Sequence, residues 1–255
     1  LINKANAFLI KLKTWAEVNC LAINVSKTKA IIFRPRGSSD RLYNPLNFGS
    51  LHIEFVNSVK TLGVIFCDNM LWTNHVRKLC SKLGKSVGIM NKHRHVLSKS
   101  VKRVLYNSLF YSHLCYCNLV WGNTSDSNLN MIHLLQKKVI RIIADVSYIH
   151  HTESLFQLYK ILNIQQIYNY RLTIAYRNAT YGRSSTILQL SELKETENYY
   201  PFRHHQPWKI PKCRTNYGKQ TLRYALPSLL NEYCDQNLDV GKMSNSSILN
   251  LYFNT

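Results

Sequence analysis

Carboxylates are scarce in this chain of 255 residues. Thirteen Asp and Glu stand against 33 Lys and Arg, a formal net charge of +20. None lies between Asp68 and Asp126, and none between Glu197 and Glu232. A compact chain with that excess repels itself, and a polyanionic partner relieves the repulsion; nucleic acid is the commonest polyanion. Charge that serves only solubility is the alternative. No Asp-Asp pair occurs anywhere. No apolar run approaches the ~18 residues of a membrane span. The apolar residues 7–10 are interrupted at once by Lys11, Lys13 and Glu17, unlike a signal peptide. The seven cysteines include no Cys-x-x-Cys, so reduced thiols in cytosol or nucleus are the simplest reading. His150-His151 and His204-His205 have no acid or cysteine at ligand spacing and read as exposed loop histidines. A Gly-x-Ser-x-Gly nucleophile elbow and an internal repeat are also absent.

Apolar residues, by contrast, make up 45% of the chain, enough for a hydrophobic core. Phe8, Leu12, Trp15 and Val18 recur at helical spacing over residues 5–20. Residues 30–33, 51–55 and 59–66 read as strands, the last two joined by a turn at 56–58. Gly63 then falls inside a strand, as at a bulge or a close backbone approach. Next comes the clearest pattern. Val76, Leu79, Cys80, Leu83, Val87 and Met90 occupy an arc of about 100° on one helix. Arg77, Lys78, Lys82, Lys85 and Lys92 occupy about 140° of the opposite side.

Another helix starts after Ser98 and carries Lys99, Lys102 and Arg103 in its first turns. Cations there oppose the helix dipole, a cost unexplained unless an anion compensates. That helix is apolar almost all round from residue 109 to Trp121, which predicts burial, and it ends at Gly122. A further helix over 127–144 turns Lys137, Lys138 and Arg141 outward. Residues 152–162 and 164–181 read as two more helices. Residues 182–216 read as loop. Within or just after that loop, Tyr199, Tyr200, Phe202, Trp208 and Tyr217 are interleaved with Arg203, Lys209, Lys212, Arg214, Lys219 and Arg223. Such a stretch either stacks single-stranded bases or anchors a long loop on the body.

Three patches, in their order and spacing, resemble the region after the catalytic palm motif of non-LTR retrotransposon reverse transcriptases, jockey-like elements especially. The first is LKTWAEVNCLAINVSKTKAIIF, through Trp15, Asn19, Leu21, Asn24, Lys27, Thr28 and Phe33. The second is VKTLGVIFCDNMLWTNHV, through Lys60, Leu62, Gly63, Val64, Leu71, Trp72 and His75. The third is LLQKKVIRII, through Gln136, Lys137, Lys138 and Arg141. A fourth, NYGKQTLRYALPSLLNEY, is similar to the family's C-terminal patch, with Leu230 where a Trp usually precedes Asn.

The resemblance implies an α+β, mostly α fold. A small antiparallel hairpin or sheet ends the polymerase palm and carries the primer grip (1–70). A thumb-like helical bundle follows (71–150), then an irregular helical C-terminal extension (151–255). It implies that Lys60 and Gly63 lie at the primer grip, with Gly63 letting backbone approach backbone. The helical cations would meet the phosphates of a template–primer duplex. Lys27 would be a general acid for departing pyrophosphate, an exposed strand lysine being the alternative. RNA template and RNA–DNA duplex are the implied partners, together with an N-terminal polymerase region of a longer parent. Magnesium is implied for that parent, held by an Asp-Asp pair upstream of Leu1. Asp68, the acid nearest the hairpin, reads as a turn residue rather than a metal ligand. A stand-alone nucleic-acid-binding module derived from a transposon, or a decayed remnant, are the competing readings.

Overall fold

The computed structural model describes residues 1–34, 44–183, 185–196 and 207–253. It is mostly helical with small β-sheets, and it divides into two compact units, Leu1–Arg77 and Lys78–Thr255. No described helix is long and apolar enough to cross a membrane.

The first unit opens on α1 (Ile2–Val18). Asn6 ties it to the sheet, accepting from the Asn47 N–H at 2.9 Å and donating to the Pro45 carbonyl at 3.3 Å. Of the helix only Ala16 is buried; Phe8, Trp15 and Val18 stay exposed. A short turn at Val25–Lys27 follows, folded by Asn24, whose Oδ1 accepts from the Lys27 N–H and the Ser26 hydroxyl. The chain then forms β1 (Lys29–Ala30), β2 (Leu46–Phe48) and β3 (Leu51–Phe55). β3 is central. It pairs parallel with β1, Lys29 opposite Glu54, and antiparallel with β2, Leu46 opposite Ile53.

The predicted pairing of residues 51–55 with 59–66 gives way to a different one. The second segment splits into β4 (Ser58–Thr61) and β5 (Val64–Cys67), which pair with each other. Leu62 and Gly63, both at positive φ (48° and 85°), make the turn between them. A two-residue turn with two positive φ values matches the twist of the flanking strands. Gly63 therefore sits at a hairpin tip, not inside a strand. Leu62 gives no cue to this, because a leucine in the left-handed region costs about 1–2 kcal/mol and is rare there. Of the strand expected at 30–33, only Ala30 lies in a strand, β1 (Lys29–Ala30).

α2 (Thr73–Lys92) passes from the first unit into the second as one continuous helix. Its seam is as expected: Val76, Leu79, Leu83, Val87 and Met90 are buried. Its start is fixed in the first unit. Trp72 packs edge-on against Phe66 at 5.6 Å, and His75 Nδ1 accepts from the Ile65 N–H.

The second unit continues through α3 (Lys99–Leu105), a π turn (Tyr106–Tyr111), α4 (Ser112–Cys115) and α5 (Asn118–Trp121). The single apolar helix expected here is thus widened by the π turn and broken once, at extended Tyr116 and left-handed Cys117. Its burial is one-sided. Phe110, Leu114 and Trp121 are fully enclosed, whereas Leu109, Tyr116 and Val120 remain exposed. α6 (Asp126–Ala144) packs on α3, on α7 (Glu153–Leu158) and on α8 (Ile164–Thr180). Asn163 and Gln166 form a reciprocal capping box at the start of α8. Segments on both sides of residue 150 thus share one compact unit.

Beyond α8, the region read as loop contains α9 (Thr186–Ser191). The chain then forms α10 (Asn216–Lys219), α11 (Leu222–Asp235) and α12 (Asn245–Asn250). Leu226, Leu229, Leu230 and Tyr233 of α11 build a cluster with Tyr168 and Leu172 of α8.

Gly122 is required by space rather than by φ. A Cβ there would lie 2.5 Å from the Asn118 carbonyl oxygen and 2.8 Å from Tyr168 Cδ2. Both neighbours belong to the buried core. Gly122→Ala is expected to cost about 1–3 kcal/mol, the usual penalty of overpacking, read as a lowered denaturation midpoint with an unchanged denaturant slope.

Candidate nucleic-acid interface

The outer face of α2 is a basic surface. Thr73–Lys92 contains no Asp or Glu. Arg77, Lys78, Lys82, Lys85 and Lys92 are all exposed. None pairs with a carboxylate among the described residues. The helix rises about 1.5 Å per residue, so these five cations form a row of roughly 22 Å. The buried seam behind them holds the row rigid. Phosphates along a groove edge meet such a row without base readout.

The other predicted cations divide. Lys99, Arg103 and Lys138 are exposed, and Lys137 is half-buried. One turn from Lys137, His133 stacks on Phe156 at 5.6 Å. Burial first, then the Lys137 charge, holds its imidazole below the usual range. Arg141 is half-buried, and its Nε donates to the His150 carbonyl at 2.8 Å. It therefore braces the 145–151 segment.

Lys102 does not belong to any surface. It is fully buried, and its ammonium donates to Asp145 Oδ1 at 2.5 Å. This corrects its assignment as a phosphate contact: a charge enclosed in the core and already paired does not reach a strand outside. It also answers the question of the compensating anion. Asp145, just past the C-terminus of α6, is that anion. The Lys102 hydrogen bond holds its carboxyl below the usual carboxylate range, with Arg94 and Lys99 adding to the effect. The sequence alone gave no sign of Asp145 as a partner.

In the first unit, Lys60 and Leu62 are exposed at the β4–β5 hairpin, Leu62 at its tip. Lys27 is exposed in the Asn24-capped turn rather than on a strand. It does not share a strand face with Lys29, which pairs with Glu54 at 2.6 Å. Asp68 is held by Arg34, whose Nη2 approaches at 3.3 Å, and both side chains are about four-fifths buried, at 20% and 19% exposure. No group of three His, Cys, Asp or Glu side chains able to hold a metal ion occurs among the described residues.

Of the aromatic and cationic stretch, Tyr199, Tyr200, Phe202 and Arg203 lie outside the described residues, as do His204 and His205. Trp208 is anchored to the body. Its backbone N–H and carbonyl both pair with the Asn231 side chain, at 3.0 and 2.8 Å, and its ring packs on the α8–α11 cluster. Tyr217 is exposed.

Comparison of the chain with protein-family models, with curated proteins and with solved structures finds no match.

Proposed function

We propose that the chain is the C-terminal part of a jockey-like non-LTR retrotransposon reverse transcriptase. It would comprise the palm end, primer grip, thumb and a following extension, and its task is to hold template–primer duplex. The observation that carries this reading is α2: a carboxylate-free helix with five exposed cations on one side and a buried apolar seam on the other. The patches of family resemblance supply the name, and the β4–β5 hairpin supplies a tip that a primer end would meet. In this reading α2 is a thumb helix, and Lys60 and Gly63 belong to the primer grip. Lys27, free of local ion pairs on its turn, is the candidate proton donor to pyrophosphate. Lys99, Arg103, Lys137 and Lys138 are further candidate phosphate contacts.

RNA template and RNA–DNA duplex are the partners. A third is the polymerase segment that would carry the catalytic carboxylates. The exposed Phe8, Trp15 and Val18 of α1 are a surface that such a segment would cover. Asp68, the acid beside the hairpin, is paired with Arg34, and among the described residues it belongs to no group of three or more His, Cys, Asp or Glu.

The test is a salt titration of binding to a blunt RNA–DNA duplex. Five phosphate contacts predict a log–log slope of about −4.5, at roughly −0.9 per contact on B-DNA. A slope near zero, or no measurable binding, overturns the reading. The purified chain is further expected to give no magnesium-dependent primer extension; extension would overturn its placement as a fragment without the catalytic carboxylates.

A further inference from the structure

A second basic and aromatic feature is lined by no residue of α2. The π turn and the connection between α7 and α8 wall a cleft of about 220 Å³. Its chemistry comes from Arg103, Tyr106, Tyr111, Tyr159 and Lys160, with apolar side chains completing the wall and no carboxylate among the lining residues.

Two backbone features mark this place. Wide π turns are rare and concentrate at functional sites. Lys160 holds φ at 50°, and a non-glycine residue in the left-handed region persists only where its surroundings impose it, often beside ligands.

Tyr106 is the fixed back wall. It is 3% exposed, stacked on Phe110 at 5.5 Å and tilted against Tyr111 at 6.2 Å. Tyr111 and Tyr159 are half-buried, so part of each ring stays open. Burial pushes the Tyr106 and Tyr111 phenols up. Both remain protonated at neutral pH and keep an O–H to donate.

The volume limits the occupant. Clefts for drug-sized molecules run to about 300–1,000 Å³; this one is smaller and admits a single ring system. A duplex cannot enter. Aromatic faces combined with cations are the features on which unpaired bases stack without sequence preference. Arg103 and Lys160, both exposed, stand where a strand's phosphates would pass.

We propose that this cleft takes one unstacked base of a single nucleic-acid strand against its tyrosine rings, with Arg103 and Lys160 on the neighbouring phosphates. It is a site distinct from the α2 row, and it does not depend on the polymerase reading.

The experiment is fluorescence anisotropy of the full chain with a short labelled oligouridylate, run beside a blunt RNA–DNA duplex. Tyr159→Ala should weaken single-strand binding about 5- to 150-fold, the loss of one stacked base, with duplex affinity unchanged. Tyr159→Phe should bind as the parent does. Lys160→Ala, a surface change that leaves the core alone, should weaken single-strand binding and flatten its salt slope by about 0.7, with duplex affinity unchanged; this variant decides the matter if Tyr159→Ala melts early. The proposal is overturned by no measurable binding of the oligouridylate, by unchanged affinity in both alanine variants, or by equal losses for single strand and duplex in Tyr159→Ala. Single-strand binding that depends on Tyr159 and survives the loss of duplex binding upholds the cleft even where the α2 reading fails.

Discussion

Replacing Lys78, Lys82 and Lys85 together by Glu is expected to weaken duplex binding by about 100-fold near 0.15 M salt. The estimate follows from counterion release. Each phosphate contact contributes about 0.9 to the log–log slope, so extrapolation to 1 M makes one contact worth roughly fivefold at 0.15 M. Three contacts multiply to about 100-fold, and the slope itself should shallow by about 2.7. The loss should be uniform across duplex sequences, because these contacts carry no base information. Unfolding does not explain such a result. The three side chains are exposed and pair with no carboxylate among the described residues, surface changes of this type stay within about 0.5 kcal/mol each, and lowering a net charge of +20 relieves self-repulsion. Binding isotherms at several salt concentrations, with a melt of each variant, make the measurement. Unchanged affinity and slope would place the grip elsewhere.

The largest effect on stability is expected at Asp145. Asp145→Ala leaves the enclosed Lys102 ammonium without its anion, and breaking a buried pair from one side typically costs about 3–5 kcal/mol. Asp145 itself keeps 40% of its side chain exposed, so water reaches the pair's outer edge and the lower end, about 3 kcal/mol, applies. Removing both charges with Lys102→Met and Asp145→Asn should recover most of the loss, since a shape-matched apolar replacement is often neutral. Equal destabilisation in the single and double variants would show that the pair is not the cause. The pair also sets an acid limit. The folded-state carboxyl lies below its ordinary value, near 3.9 in an unfolded chain. Its contribution is therefore complete above about pH 4 and is lost as pH falls through the depressed value. Acid denaturation of the parent should steepen there, and Asp145→Ala should lack that component.

Lys102 also shows where sequence periodicity was legible and where charge obscured it. Lys102, Tyr106 and Phe110 are spaced at i, i+4 and i+8, and all three are buried, while Val101 and Val104 are exposed. The period pointed inward; the residue type pointed outward. The partner that reconciles them is 43 residues away, beyond any local window. On α2, type and period agree, and the buried seam and the cationic row both follow from the pattern. β3 matches its expected bounds for the same reason.

The misses have separate causes. The β4–β5 turn uses Leu62 where Asn or Gly would have announced it. α11, within the extension expected to be helical, tolerates Pro227 although proline removes a helix-interior hydrogen bond. There the packing of Leu226, Leu229 and Leu230 overrides local preference. Asn231, matched by resemblance at the end of the chain, proves to be the clamp on the Trp208 backbone.

The uncovered side of α1 has a practical consequence. Of the four tryptophans, Trp121 and Trp72 are buried, Trp208 is half-buried, and Trp15 is 56% exposed. Its indole is the one that water most fully reaches, so it should supply the red edge of the emission spectrum and most of the iodide quenching. Any polypeptide that settles on that helix would shift the emission to the blue and shield it from iodide, an optical signal that needs no added label.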